Sequence, residues 1–379
     1  MKVVFFQPYL AMWRIQFLAR FIRETPHNVL VYDGGFGGKN DTKSVSNNKV
    51  PFVFKKLLSW SPVVKVGGQE YPFYFSPGLF LNLVKDRPDV IVTEGEINFV
   101  NNISVFLYCF LFRKKYVWWS LGKVRTRKKT VVNIVLDPVV DFLLRRASCV
   151  MTRTTWAKEY YVDVKAIPSN QVIVAPNSMD EILARSEVDE MLVRNLKSDA
   201  GGHVILYVGA LTLQKRPGDL VEAFARLLKR PGHATCKLWF VGDGAEKHNL
   251  ISRAKELGIE RSVLFFGKVF EGVGSYFSAA DVVVVPGLGG LVINHAMIFG
   301  KPVVSRLADG TELDLVVSGE TGFLLDDYDV DNLVGAIETV LSQDNLARMS
   351  ENAKRIVDDF WNIETMISRV NQCIEFRHE

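Results

Sequence analysis

Residues 281–296 read Asp-Val-Val-Val-Val-Pro-Gly-Leu-Gly-Gly-Leu-Val-Ile-Asn-His-Ala. The four consecutive valines predict a strand that is buried on both faces, as in a parallel sheet covered by helices. The glycine-rich turn leads into a helical stretch, so its backbone N–H groups and the helix N-terminus could hold a phosphate or diphosphate. The same glycines also suit a plain tight turn that needs positive φ. The sequence leaves both interpretations open.

Short β-branched runs alternate with amphipathic stretches along the chain. This alternation predicts an α/β fold of doubly wound parallel sheets with helices on both faces. A length of 379 residues suits two domains. We place the boundary in the polar segment 186–202, which predicts an N-terminal domain over residues 1–190 and a C-terminal domain over 200–358. Since ligands bind beyond the carboxyl ends of parallel strands, two such edges facing a cleft would suit two substrates.

Composition excludes several classes of protein. The apolar fraction of 48% and the charged fraction of 23% are ordinary for a soluble globular chain. The four cysteines form no CxxC pair and the six histidines no HxxxH or HExxH pattern, so we predict no protein-bound metal and a reduced, cytoplasmic setting. The apolar start at 3–6 is too short for a secretory signal. The apolar run at 103–112 is about half of the roughly 20 residues that span a bilayer.

The charge is unevenly distributed. Residues 1–190 carry nine more basic than acidic side chains, and the remainder carries five more acidic than basic ones. Basic clusters lie at 113–115, 125–129 and 145–146. They suit solvated helix ends, or a surface for anionic headgroups on the inner face of the cytoplasmic membrane, where each basic residue contributes about 1 kcal/mol. No nucleic-acid-binding motif accompanies the charge, so we predict no nucleic-acid partner.

Other loops follow strands of the second predicted sheet. Residues 209–216 contain Lys215 and Arg216, and a cation at a strand's carboxyl end could neutralise a diphosphate leaving group. A solvated loop lysine is the alternative. Two further predicted strands end in glycine, one at Gly242 and one at Gly267, which is followed by Lys268 and Val269. Glycines at strand ends mark either close approach of a ligand or simple turns.

The first half offers candidates for the acceptor side. Glu94 and Glu96 follow a predicted strand, and either could be a general base if it reaches its proton within hydrogen-bond distance. Trp119 and Ser120 end another strand and could line a sugar or lipid site, or belong to the core. The glycine-rich stretch 33–38 lacks a following helix and so fails the dinucleotide-binding pattern. A mobile loop on the acceptor side fits it better.

Taken in order, these pieces resemble the C-terminal domain of GT-B glycosyltransferases, in particular the large retaining, family 4-like group of bacterial wall and surface-polysaccharide transferases. The resemblance covers roughly residues 203–342, and segment 175–180 is similar to the interdomain motif of that group. It implies a GT-B fold, a C-terminal donor domain, and a last helix within 359–379 that crosses back to the N-terminal domain. The similar segments are VGALTLQKRPGDLVEAF, LWFVGDGAEKHNLISRAKELGI, VLFFGKV, ADVVVVPGLGGLVINHAMIFGKPVVS and SGETGFLL.

The resemblance also assigns roles to single positions. Lys215 matches the lysine that binds the donor diphosphate, residues 290–292 match the turn whose amides hold it, and residues 268–269 match the stretch that contacts the nucleobase. Glu312 matches a glutamate of uncertain role. The predicted donor-binding residues are Gly209, Lys215, Gly242, Lys268, Val269, Gly290, Leu291, Val292, His295 and Glu312. The predicted acceptor-side residues are Trp13, Arg14, Trp119 and Ser120, and the catalytic candidates are Lys215, Arg216, Glu94 and Glu96.

Three positions depart from the family pattern. Ala210 stands where an arginine is common, and Arg216 could supply that charge. Gly287 and His295 occupy the places of two glutamates, which contact the donor sugar and the ribose. An imidazole offers one donor and one acceptor, so His295 could still hydrogen-bond a ribose hydroxyl. A core histidine packed under the helix is the alternative.

The sequence therefore predicts a glycosyltransferase that moves a sugar from a nucleoside-diphosphate sugar to a hydroxyl group. The resemblance implies retention of configuration, a glycan or lipid-linked surface-polysaccharide precursor as acceptor, and no metal or other cofactor. Two other functions stay open. One is a sugar-nucleotide epimerase of similar fold, and the other is a sugar-nucleotide-binding protein that has lost turnover, which Ala210 and Gly287 would suit.

Overall fold

The structure is a computed structural model that describes residues 1–35, 50–66, 69–120, 122, 131–308 and 310–377. The chain divides into two compact units. The first ends at Pro176 and also takes in the residues from Glu364 onward, and the second spans Asn177–Ile363.

The first unit is built on a seven-stranded sheet in the order β3-β2-β1-β6-β7-β8-β9. Every pairing in this sheet is parallel. A separate antiparallel hairpin is formed by β4 and β5. The strands are β1 (Lys2–Gln7), β2 (Asn28–Asp33), β3 (Phe54–Lys56), β4 (Val63–Val66), β5 (Gln69–Pro72), β6 (Val90–Glu94), β7 (Lys115–Ser120), β8 (Cys149–Thr152) and β9 (Val172–Val174).

Helices of the first unit connect these parallel strands. The last helix, α15, returns here from the end of the chain. His27 Nε2 donates to Asn371 Oδ1 at 2.6 Å, and Lys115 Nζ donates to the carbonyl of Phe376 at 2.8 Å. The helices are α1 (Met12–Glu24), α2 (Leu79–Asp86), α3 (Phe99–Phe112), α4 (Val131–Arg146), α5 (Thr155–Glu159), which continues as a π-helical turn over Tyr160–Val164, and α15 (Ile363–Glu375).

The second unit contains a six-stranded parallel sheet in the order β12-β11-β10-β13-β14-β15. Its strands are β10 (Val204–Val208), β11 (Lys237–Val241), β12 (Val263–Gly267), β13 (Val282–Val285), β14 (Val303–Arg306) and β15 (Gly322–Leu325). Its helices are α6 (Glu181–Ser186), α7 (Glu190–Ala200), α8 (Pro217–Leu227), α9 (Lys247–Glu256), α10 (Gly274–Ala279), α11 (Leu291–Ile298), α12 (Thr311–Leu315), α13 (Val330–Leu341) and α14 (Gln343–Asp359).

Strands of the second sheet are apolar throughout because both faces are covered. In β10, Ile205 points into a core shared with Phe224 of α8, and the next residue, Leu206, points into a core shared with Ile293 of α11. Complete burial of such a side chain contributes roughly 1.5–3 kcal/mol. The valine run of β13 lies in the middle of this sheet, as the sequence predicts.

The segment 186–202 differs from its predicted role as a domain boundary. Most of it is helix α7, whose N-terminus is capped by Asp189 accepting from Met191 N at 2.9 Å. Val193, Leu196 and Ala200 are buried in the core of the second unit. These residues are spaced three and four apart, so one face of a largely polar helix is apolar. The structure divides the chain at Pro176 instead, ahead of the predicted boundary near residue 190.

Candidate functional site

The strand order of the second sheet reverses between β10 and β13. The chain runs outward from β10 to β12 on one side and from β13 to β15 on the other. In open α/β sheets, ligands bind beyond the carboxyl ends of the strands at such a switch point. The loops that leave β10 and β13, residues 209–216 and 286–290, are therefore the two that frame the candidate site.

These two loops are in direct backbone contact at Gly287. A Cβ atom on Gly287 would lie 2.7 Å from the carbonyl oxygen of Gln214 and 2.8 Å from the carbonyl carbon of Lys215. Only glycine fits at such a separation without displacement of one loop. This contact gives a physical reason for a glycine at position 287, because a side chain there would displace the 213–215 turn.

Lys215 ends a short 3-10 turn, Leu213–Lys215, and its side chain returns toward the end of β10. A Cβ on Gly209 would lie 3.2 Å from the Lys215 ammonium nitrogen. Gly209 has φ +148°, a conformation that side chains rarely adopt. The missing side chain at Gly209 thus leaves space for the ammonium group at the switch point.

A third loop packs against the same place. Gly242, with φ +149°, approaches Gly209 so closely that a Cβ would lie 1.9 Å from the Gly209 carbonyl oxygen. The amide of Gly242 donates to the carbonyl of Gly267 at 2.7 Å, and that of Gly209 donates to Val241 at 2.9 Å. Both glycines therefore allow the loops after β10, β11 and β12 to stack backbone against backbone.

The turn at Gly290 begins helix α11. Gly290 has φ +70° and ψ −139°, and no side chain caps the helix. Gly290, Leu291 and Val292 are half-buried. A helix N-terminus without a side-chain cap directs backbone N–H groups and partial positive charge outward, which suits an anion. The structure thus places this helix start and the loop bearing Lys215 at the same switch point.

Arg216 is engaged in a different cluster. Its Nε donates to Asp219 Oδ2 at 2.8 Å, and its guanidinium lies 4.2 Å from the centre of the Tyr328 ring. The buried Arg306, which the sequence analysis missed, also donates to Asp219. The Arg306 guanidinium also lies 5.0 Å from the centre of the Tyr328 ring, so the two arginines share one carboxylate and one ring beside the start of α8.

His295 lies in an aromatic environment under α11. Its ring centre is 4.5 Å from that of Phe277 and 5.7 Å from that of Phe299. Burial lowers the pKa of His295 to about 4, so the imidazole is neutral at pH 7. The neighbouring Asn294 ties α11 to the chain at Met179 and Trp361 through hydrogen bonds of 3.0 and 2.8 Å.

Glu312 organises the loop that follows β14. Its buried carboxylate accepts from Ala308 N at 2.6 Å and from Gly310 N at 3.1 Å. Elsewhere on the same edge, Lys268 is exposed, and Val269 is half-buried against the core. The strongly exposed Phe270 beside them was missed by the sequence analysis. In the sequence, the signal available for it was an aromatic residue directly after the predicted ligand-contacting stretch.

The first sheet has its own switch point, between β1 and β6. Arg14 Nη2, from the helix after β1, donates to Glu94 Oε1 at 2.6 Å at the end of β6. Arg153, after β8, reaches the same oxygen at 3.4 Å. The Arg14 guanidinium lies 3.7 Å from the centre of the buried Trp119 ring. Burial, opposed by Glu94, lowers the pKa of Arg14 to about 9.

Glu96 belongs to a neighbouring hydrogen-bond network. Its carboxylate accepts from Ser120 Oγ at 2.6 Å and from the hydroxyl of Tyr161. Burial, with the charge of Glu96, raises the pKa of Tyr161 well above its usual value. Neither Arg153 nor Tyr161 was predicted, because each is far in sequence from the glutamate that it contacts and is brought to it only by the order of the strands in the sheet. Their one signal in the sequence is that they follow β8.

Some predicted features lie outside what the structure describes. They are the side chain of Trp13, residues 36–38 of the glycine-rich stretch and the basic cluster 125–129. Elsewhere, Lys114 pairs with Asp89 at 2.7 Å. Within the described ranges, no three His, Cys, Asp or Glu side chains are grouped so that they could hold a metal ion. The same ranges contain no helix with the length and apolar character that crossing a membrane requires.

The chain is similar to several known proteins. Residues 189–356 match the family model described as Glycosyl transferases group 1. N-acetyl-alpha-D-glucosaminyl L-malate synthase of Bacillus anthracis is 23% identical over 84% of this chain and 85% of its own length. The lipopolysaccharide core biosynthesis glycosyltransferase LpsE of Rhizobium meliloti (strain 1021) is 32% identical over 41% of this chain and 45% of its own length.

Among solved structures, HepE of Anabaena in complex with UDP has a TM-score of 0.74 at 20% identity, covering 98% of this chain and 99% of that chain. The same protein in complex with UDP-glucose has a TM-score of 0.70, with 98% of both chains covered. At this identity the likeness shows the fold, which is the GT-B glycosyltransferase fold.

Proposed function

We propose that this chain, a glycosyltransferase of the GT-B fold, transfers a sugar from a uridine-diphosphate sugar to a hydroxyl group of a surface-polysaccharide precursor. One observation carries the donor assignment. The Lys215 ammonium group, the Gly287 contact and the uncapped start of α11 come together at the switch point of the second sheet.

The chemistry follows from where charge develops. The bond between the anomeric carbon of the donor sugar and the diphosphate oxygen breaks, the acceptor oxygen bonds to that carbon, and the proton of the acceptor hydroxyl passes to the departing diphosphate. Negative charge grows on the departing diphosphate. An ammonium group and outward-pointing amides, already in place at Lys215 and residues 290–292, stabilise that charge more than they stabilise the intact donor.

Uridine as the base and glucose as a candidate sugar rest on the complexes of HepE. In the proposal, the stretch at Lys268 and Val269 contacts the base through its backbone. The half-buried position of Val269, against the core, suits a fixed backbone there. Retention of configuration is part of the same proposal and rests on the family resemblance.

The acceptor assignment rests on the first unit. The Arg14–Glu94–Arg153 cluster beside Trp119 lies at the carboxyl edge of its sheet, where a substrate would be expected. In the proposal, Glu94 and Glu96 help to bind and orient the acceptor hydroxyl. A polysaccharide precursor is favoured by the similarity to LpsE.

The test follows nucleoside-diphosphate release from UDP-, GDP- and ADP-sugars, with and without candidate acceptors. We expect acceptor-dependent release from a UDP-sugar, and NMR of the product to show a retained anomeric configuration. A matched control for Lys215→Ala is Lys229→Ala, which removes an exposed lysine at the end of α8. Tight binding of a UDP-sugar with no release, whatever the acceptor, would instead support a binding protein without turnover.

A further inference from the structure

We propose that the outer face of helices α3 and α4, in the first unit, is a docking surface for an anionic lipid bilayer. The surface, named here the α3–α4 face, is unusually apolar. Phe110 and Leu111 of α3 are 66% and 62% exposed, and Phe142 of α4 is 47% exposed. Further large apolar side chains exposed on these two helices are Ile103, Leu107, Phe112 and Val139.

The apolar side chains of the α3–α4 face form a continuous surface. The ring of Phe106 stacks on that of Phe110 at 5.9 Å and meets that of Phe142 edge-on at 5.3 Å. These contacts join the two helices. A contiguous exposed apolar patch marks an interaction site, whereas single exposed residues do not.

The inner sides of α3 and α4 pack into the hydrophobic core of the first unit. Val105, Tyr108 and Cys109 of α3 are buried there, together with Leu143 and Leu144 of α4. Packing within the unit therefore does not require apolar residues on the outer face. Helix α3 is apolar on both sides, and its 14 residues fall short of the roughly 20 that span a bilayer. A contact at the depth of the headgroups and upper acyl chains suits such a helix.

The basic side chains at the edge of the α3–α4 face indicate that its partner is negatively charged. Arg113 follows the end of α3, and Arg145 and Arg146 end α4, all three exposed. The Arg146 guanidinium lies 5.2 Å from the centre of the Phe142 ring, so cation and apolar surface are adjacent. Two acidic residues lie on α4. Asp141 is paired with Lys165 at 2.6 Å, and Asp137 is the other.

This rim of arginines favours lipid over a second copy of the chain. In a symmetric dimer through this face, the arginines would meet the same apolar and basic surface of the other copy, which has few acidic side chains to pair with them. Anionic headgroups would be attracted by the same charges, each worth about five-fold in affinity near such a surface. An apolar centre with a basic rim is the pattern of helices that lie in the membrane interface.

The experiment measures co-sedimentation of the full chain with vesicles of phosphatidylcholine alone or mixed with phosphatidylglycerol. We expect binding to the mixed vesicles, at least tenfold weaker for Phe110→Ser/Leu111→Ser and several-fold weaker for Arg113→Gln/Arg146→Gln. Met191→Ser is the matched control, since Met191 of α7 is 66% exposed and belongs to the second unit, outside the α3–α4 face. Its binding should equal that of the unchanged chain.

Equal binding of the Phe110→Ser/Leu111→Ser variant, checked for folding by its melting curve, would overturn the proposal. So would an absence of binding to the mixed vesicles. Analytical sedimentation without lipid tests whether the α3–α4 face binds a second copy of the chain instead. A dimer that the Phe110→Ser/Leu111→Ser variant abolishes would assign the surface to that second copy and would overturn the proposal. Vesicle binding needs no turnover, so its failure leaves the proposed transferase activity untouched.

Discussion

Gly287 lies against the backbone of Lys215, where a Cβ atom would stand 2.8 Å from the lysine carbonyl carbon and 2.9 Å from its Cα. The absence of a side chain at Gly287 thus allows the backbone of the charged Lys215 to lie at this position. A glutamate at position 287 and the observed course of the 213–215 turn are mutually exclusive. Glycine at position 287 is therefore required by the packing of this loop pair.

Gly287→Ala should displace the Lys215 loop. The added carbon meets backbone atoms, which cannot rotate away, so we expect a loss of about 1–3 kcal/mol in the free energy of unfolding and weaker binding of the donor. Urea unfolding and donor titration on the same variant measure both. Gly335→Ala in α13 is the control, because no atom lies within 4 Å of the added carbon, and it should stabilise by about 0.5–1 kcal/mol. Wild-type stability and donor affinity in Gly287→Ala would contradict the contact.

Lys215→Ala should slow turnover while leaving the fold intact. Removal of one group that stabilises developing charge costs about 2.7–4 kcal/mol in comparable sites, or a factor of 10²–10³ in kcat. Because this interaction strengthens in the transition state, kcat should fall more than KM rises. Steady-state kinetics with a UDP-sugar, beside a melting curve, check this. Unchanged kcat would remove Lys215 from the reaction.

His295 should make stability depend on pH. The folded chain binds a proton at His295 only near pH 4, whereas the unfolded chain does so near pH 6.5. The unfolded state therefore holds more protons below about pH 6.5, and stability falls as the pH drops through that window. Between pH 7 and pH 5 the loss from this residue is about 2 kcal/mol. Urea unfolding of the unchanged chain and of His295→Phe at both pH values measures it, and equal losses would contradict the assignment.

Substitution of His295 also tests the predicted hydrogen bond between its imidazole and the donor ribose. If the imidazole hydrogen-bonds the ribose, His295→Ala should weaken donor binding by about 0.5–1.5 kcal/mol, with a smaller effect on kcat. Packing between Phe277 and Phe299 predicts instead a lower melting temperature and an unchanged donor affinity. Calorimetric titration of the folded variant distinguishes the two, and wild-type affinity would end the ribose assignment.

Glu94→Gln should destabilise the first unit strongly. Arg14 is only 1% exposed and lies beside Arg153, so loss of the shared carboxylate leaves two guanidinium groups near each other without compensation. Breaking a buried ion pair from one side costs about 3–5 kcal/mol. Arg153→Gln, which removes the longer contact and one of the like charges, should cost far less. Chemical denaturation of both variants gives the comparison, and an equal loss in the two would argue against Glu94 as the shared partner.

Much of the second sheet was predictable because its information is local. The valine run of β13, the glycines after β10 and β13 and the following helices appear in the structure close to where the sequence predicts them. Helix α7 was missed although its signal was present. Val193, Leu196 and Ala200 lie on one face, but the surrounding polar residues made the segment resemble a linker.

Contacts between distant parts of the chain were not predictable. Arg153 and Glu94 are 59 residues apart, and Tyr161 and Glu96 are 65 apart. Only the strand order of the sheet brings them together. The same holds for Gly287, since a missing side chain becomes meaningful only when the atoms that exclude it are known.

The return of α15 to the first unit has a consequence for how the protein is made. Val370, Cys373 and Ile374 are buried, and Asn371 and the carbonyl of Phe376 hydrogen-bond to His27 and Lys115. Because α15 follows the second unit in the chain, the ribosome synthesises all of the second unit before the first unit is completed. The second unit has all of its strands before then. A stop codon ahead of Glu364 would therefore damage the first unit, although all strands of that unit would already have been made.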